Sequence, residues 1–94
     1  MHDWTLVSAV FDWGAGDVTL SFDSATGAQA LVARLVAELS IPRRNEWGRS
    51  ASVNEVKGLT STPDNLQCLE IEMQSGDVIR IAASSFQMPI CTSN

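Results

Sequence analysis

The segment Ala28-Gln29-Ala30-Leu31-Val32-Ala33-Arg34-Leu35-Val36-Ala37-Glu38-Leu39-Ser40-Ile41 reads in two ways, and each leads to a different fold class. On a helix, Leu31, Val32, Leu35, Val36 and Leu39 make one apolar stripe, and the four alanines favour that state. On a strand, Leu31, Ala33, Leu35, Ala37, Leu39 and Ile41 alternate without a break. The length of the segment favours the helix. The short alternating runs on both sides favour the strand, with a bulge near Arg34. Pro42 ends the segment on either reading. We read it as extended. The alternative is an α+β fold, with one helix at 28–40 on an antiparallel sheet.

Upstream, Thr5 to Trp13 alternates with Val7, Ala9, Phe11 and Trp13 on one face. Gly14-Ala15-Gly16-Asp17 breaks the run, and Val18, Leu20 and Phe22 resume it. This is the pattern of a β-hairpin with a Gly-rich loop. Opposing Trp13 with Val18, Phe11 with Leu20 and Ala9 with Phe22 gathers the large apolar groups on one face. A phosphate-binding reading of Gly14-x-Gly16 fails, because such a loop must open a helix and here a strand follows.

Downstream, Pro42 to Ser52 reads as a long loop. Ser52 to Lys57 reads as a strand whose Val53 and Val56 share a face only through a bulge. Ser61-Thr62-Pro63-Asp64-Asn65 is a turn. Leu66 to Met73 is the cleanest strand, with Leu69, Ile71 and Met73 on one side and Cys68, Glu70 and Glu72 on the other. A three-residue loop, Ser75-Gly76-Asp77, then opposes Met73 with Ile79, Ile71 with Ile81 and Leu69 with Ala83. On the outer face it opposes Glu72 with Arg80 and Glu70 with Ala82. Phe86, Met88 and Ile90 alternate in a last short run before a polar end.

The expectation is one domain over residues 1–94. It is mostly β, a small antiparallel β-sandwich or partly open barrel of about six strands. The expected core is Val7, Ala9, Phe11, Val18, Leu20, Phe22, Leu35, Leu39, Leu69, Ile71, Met73, Ile79 and Ile81.

The loop Pro42-Arg43-Arg44-Asn45-Glu46-Trp47-Gly48-Arg49-Ser50, followed by Glu72-Met73-Gln74-Ser75-Gly76-Asp77, resembles a group of small uncharacterised bacterial proteins with the same loop-then-hairpin arrangement over most of their length. The resemblance implies an extended conformation for 28–41. It implies no activity and transfers no catalytic residue.

Hydrophobic residues make up 45% of the chain and charged residues 18%, a balance that excludes a disordered polypeptide. The longest apolar stretch, Ala28 to Leu39, is too short and too polar to span a bilayer, which takes about 20 residues. Met1-His2-Asp3-Trp4 does not open a signal peptide, so the expected location is cytoplasmic. The net charge of −5 lowers the prior for nucleic acid and for anionic membrane as partners. Four of the six cations, Arg43, Arg44, Arg49 and Lys57, sit within residues 42–58.

The chemical inventory is thin. The only histidine is His2, and Cys68 and Cys91 lack metal-ligand spacing, so no zinc site and no cofactor are expected. Cys68 reads as a packing residue and Cys91 has no neighbour to activate it. Glu70 and Glu72 share a strand face about 7 Å apart, which reads as the solvated side of a half-buried sheet. No nucleophilic triad can be assembled. The most function-like feature is Trp47 among Arg43, Arg44 and Arg49. That set suits an anionic ligand or a protein partner, unless Trp47 folds back onto the core.

The leading expectation is therefore a non-enzymatic protein-binding or self-associating domain, with a homodimer as one form. A finer version, by analogy, is an immunity-like acidic neutraliser of a basic partner. The alternative is a binder of a small anionic ligand at the Trp47/arginine loop.

Overall fold

In the structure, a computed structural model, residues 3–42 and 52–87 are described. Gly27 to Ser40 is a single β-strand, and no helix occurs among the described residues, so the helical alternative for 28–40 is excluded. The chain forms β1 (Thr5–Asp12), β2 (Asp17–Ser24), β3 (Gly27–Ser40), β4 (Val53–Ser61), β5 (Gln67–Met73) and β6 (Val78–Gln87). They make one antiparallel sheet in the order β1-β2-β3-β6-β5-β4.

A sheet without helices can cover its apolar face only by curling over itself. The long β3 makes this curl. Its first half pairs with β2 and its second half with β6. Between the two halves, Leu35 adopts φ 53° and the register with β6 shifts between Val36 and Glu38. Leu31 and Ala33 are buried before that point, whereas Val36 and Leu39 pack on the core after it. β6 bends opposite. Ala83 is buried, Ser84 and Ser85 are both exposed, and Phe86 turns back to the core. The expected bulge near Arg34 is thus a sheet corner. Leu35 was expected inside, but it is 64% exposed because the corner reverses the alternation there.

The curl brings the two edge strands together at one corner and no further. Thr5 bridges Ser52, Val53 N–H donates to the Trp4 carbonyl (2.8 Å), and Asp3 N–H donates to the Val53 carbonyl (2.9 Å). The sheet does not close into a barrel. Its core is Val18, Leu20, Phe22, Leu31, Ala33, Val53, Leu69, Ile71, Met73, Ile79, Ile81 and Ala83. Trp4, just before β1, and Leu6 of β1 pack on that core, and the Trp4 and Phe22 rings lie 5.9 Å apart.

Both hairpins keep their expected faces and change their registers. In β1–β2, Phe11 opposes Val18 and Ala9 opposes Leu20, and a bulge between Leu6 and Ser8 then brings Leu6 opposite Phe22. Val7, expected in the core, is the bulged residue and is 59% exposed. Ala9 and Phe11, also expected in the core, are exposed as well, since no other described strand covers the far end of β1. In β5–β6, Ile71 opposes Ile79, Leu69 opposes Ile81 and Glu70 opposes Arg80, two residues from the expected pairing. The loop has three residues, but they are Gln74-Ser75-Gly76. Met73 N–H donates to the Asp77 carbonyl (2.8 Å) and Gly76 N–H to the Met73 carbonyl (2.9 Å). Gly76, at φ 97°, occupies the last loop position, where a three-residue hairpin requires the left-handed conformation. The bulge needed by Val53 and Val56 is present between Val53 and Glu55.

Candidate functional site

The sequence placed its binding candidates at Arg43, Arg44, Trp47 and Arg49. All four lie outside the described residues. So does Cys91.

Glu70 and Glu72 are committed to the outer face. Arg80 Nε donates to Glu70 Oε2 at 2.7 Å, and Asn54 Nδ2 donates to Glu72 Oε1 at 3.3 Å. The expected Glu72–Arg80 pair is therefore a Glu70–Arg80 pair. The hydrogen bond that Arg80 donates to Glu70, and then the Glu70 charge, hold the Arg80 guanidinium above its ordinary pKa. Cys68 is half-buried in β5 between Thr60 and Ala82. Among the described residues, no group of three or more His, Cys, Asp and Glu is placed to hold a metal ion.

The structure draws attention instead to β1. Beyond the Thr5–Ser52 bridge, Leu6–Asp12 has no strand on its outer edge among the described residues. This segment reads Leu-Val-Ser-Ala-Val-Phe-Asp, with no Pro, Gly or basic residue and no charge before Asp12. Ala9 and Phe11 lie on the inner face, opposite Leu20 and Val18. Ser8 and Val10 lie on the outer face, opposite Ser21 and Thr19. Val10 is 59% exposed and Trp13, just past the strand, is 86% exposed. The strand thus shows apolar groups to water on both faces, beside a row of unpaired backbone groups.

The adjoining turn is fixed by local hydrogen bonding. Gly16 N–H donates to the Asp12 carbonyl (2.8 Å), Ala15 N–H donates to Asp12 Oδ1 (3.2 Å), and Gly16 takes φ 75°. The turn is tied to the β3 corner. Val36 N–H donates to the Gly16 carbonyl (2.8 Å), Leu35 N–H donates to Asp17 Oδ1 (3.4 Å), and Arg34 Nη1 donates to Asp17 Oδ2 (3.4 Å). These contacts set Phe11 and Trp13, ring centroids 5.3 Å apart, across from Val36–Leu39. Between them lies a cleft of about 350 Å³, lined by Phe11, Trp13, Val36, Ala37, Glu38 and Leu39. Its walls are mainly apolar and suit an apolar or aromatic group. No general acid–base pair or nucleophile stands among its lining residues.

The sequence reading assigned Phe11 to the core and put Trp13 on the same strand face. The usable signal was Val10, which makes the strand apolar on the face opposite Ala9 and Phe11 as well. Strands with that pattern belong under cover on both sides.

No family model matches the chain, and no curated protein matches it. Among solved structures, the crystal structure of an uncharacterized protein from Neisseria gonorrhoeae is similar in fold. The TM-score is 0.71 at 14% sequence identity, and the match covers 93% of this chain and 90% of that one. The likeness extends over nearly the whole of both chains and speaks for the fold alone. No helix among the described residues is long and apolar enough to cross a membrane.

Proposed function

We propose that the chain is a non-enzymatic protein-binding domain that acts through its β1 edge. One observation carries the reading: among the described residues Leu6–Asp12 is an edge with no strand beyond the Thr5–Ser52 bridge, uncharged up to Asp12, with an exposed apolar group on each face, Val10 on one and Phe11 on the other. An extended segment of a partner can extend the sheet there through main-chain hydrogen bonds, while the Phe11/Trp13 cleft takes an apolar side chain. Aromatic groups beside such an edge supply much of the contact energy at protein interfaces. The sparse catalytic inventory of the sequence, with its single histidine at position 2, favours binding over catalysis.

The test uses a photo-crosslinking amino acid at position 10 and, separately, at position 59. Val10 and Leu59 are both exposed and apolar, but they stand on opposite edges of the sheet. Specific protein adducts are expected from position 10 and none from position 59. Adducts from neither position, or from 59 alone, would remove the β1 edge as the binding site.

A further inference from the structure

We infer that the partner fitted by the β1 edge is a second copy of this chain, paired antiparallel through β1 about a two-fold axis at Val10. The inference rests on the protein-binding reading above and gives that reading its partner.

The register follows from the strand itself. The bulge at Val7 lies next to the corner where β4 already occupies the edge, and from Ser8 to Asp12 the strand is regular. Val10 is the middle residue of that regular segment. A two-fold axis there opposes Val10 with the copy's Val10 and Ala9 with the copy's Phe11. Ser8 then opposes the copy's Asp12. Apolar groups meet apolar groups on both faces, and each carboxylate faces a hydroxyl.

Charge selects this arrangement. Two copies at −5 each repel, so a stable contact must keep the acidic residues of one copy away from those of the other. Trp4 to Phe11 carries no charge. Antiparallel pairing sends the two Asp12 carboxylates to opposite ends, four residues or about 13 Å apart, beyond the ~8 Å screening length of physiological salt. Parallel pairing would set them side by side.

Area agrees. The exposed parts of Val7, Val10, Phe11 and Trp13 offer on the order of 500 Å² per copy, so a contact that covers them in both copies reaches the ~1,000 Å² that a biological interface must clear. The opposite edge then limits the assembly to two. β4 carries two bulges and charged residues and does not invite a further strand, so the contact closes instead of propagating.

Sedimentation velocity from micromolar to near-millimolar protein tests the inference. The expected result is a concentration-dependent rise to twice the 10.1 kDa chain mass. Val10→Lys puts two like charges opposite each other on the axis and should weaken association at least tenfold. Leu59→Lys should leave it unchanged. Circular dichroism confirms that each variant is folded. Val10→Cys, in a chain with Cys68→Ser and Cys91→Ser, gives an independent readout: mild oxidation should yield a disulfide-linked dimer, since directly opposed strand residues lie within disulfide reach.

A monomer at every concentration, with no crosslink at position 10, overturns the inference. So does a dimer that Leu59→Lys dissociates and Val10→Lys does not. If the chain is monomeric while the position-10 photo-crosslinker captures a different protein, self-pairing is refuted and the protein-binding reading stands. If that crosslinker captures nothing, both fall.

Discussion

The two strands that end the sheet, β1 and β4, meet at one corner and differ everywhere else. There, Trp4 and Leu6 at the start of β1 and Val56 of β4 pack on the core to which Val53 of β4 belongs. Away from it, β4 shows Asn54, Glu55, Lys57, Gly58, Thr60 and Ser61 to water, with Leu59 the single large apolar group. Its pairing with β5 is interrupted twice, between Val53 and Glu55 and between Lys57 and Thr60. Bulges and charges of this kind deter a further strand. β1 has one bulge, close to the corner, and then Val10, Phe11 and Trp13 in the open. Bulges and charges thus mark one edge of the sheet, while the other is regular and uncharged from Ser8 to Phe11. The protein-binding proposal for β1 rests on this difference between the two edges.

The comparison assumes a common core beneath both edges, and this carries the largest expected effect. Phe22→Ala, opposite Leu6 of β1, and Ile71→Ala, opposite Val56 of β4, should each cost about 2–5 kcal/mol in urea unfolding. Loss of only one edge's hydrogen-exchange protection in either variant would show two separate cores.

Within β1, the anchored and free portions should behave differently. Leu6→Ala is expected to cost about 2 kcal/mol, the low end of the range for Leu truncation, because Leu6 is half-buried. Val10→Thr should change monomer stability by less than about 0.5 kcal/mol. Equal losses at the two positions would mean that β1 is covered along its whole length.

The corner beside the cleft gives a smaller effect of opposite sign. Leu35 holds φ 53° with most of its side chain in water, a conformation that costs a non-glycine residue about 1–2 kcal/mol. Leu35→Gly should therefore raise stability by about 0.5 kcal/mol, once the entropy cost of glycine is subtracted. A clear destabilisation would show that Leu35 packs where the structure leaves it exposed.

The smallest effect belongs to the outer face. Arg80→Ala removes a solvent-exposed pair with Glu70. The melting temperature should barely move, and salt should erase the difference. A large loss would reassign Arg80 from the sheet surface to a site.

Much of the architecture was legible from alternation, because a strand with one buried face writes a period of two into its sequence. The buried residues of β2, β5 and β6 followed from that pattern, whereas the extended reading of 28–41, which fits both periods, rested on the alternating runs beside it and on the resemblance. The hairpin loops were located in the same way. The candidate site was not legible. Phe11 and Trp13 look like core residues in a chain read alone, because an apolar side chain in a strand carries no mark of whether another layer covers it.

The sequence by itself determined an antiparallel β domain, its inward faces and its sharp turns, since side-chain parity and glycine stereochemistry are local properties. Tertiary structure decided the registers, because a slip of two residues preserves every face and is invisible to parity. The β1–β2 hairpin moved by two between Ser8 and Asp12, and the β5–β6 hairpin moved by two, turning the expected Glu72–Arg80 pair into Glu70–Arg80. It also decided that Leu35 bends β3 into the corner and that the sheet stops short of closure. Only where the second layer ends does the far half of β1 become a surface. That boundary depends on contacts between residues far apart in the chain, which no local pattern encodes.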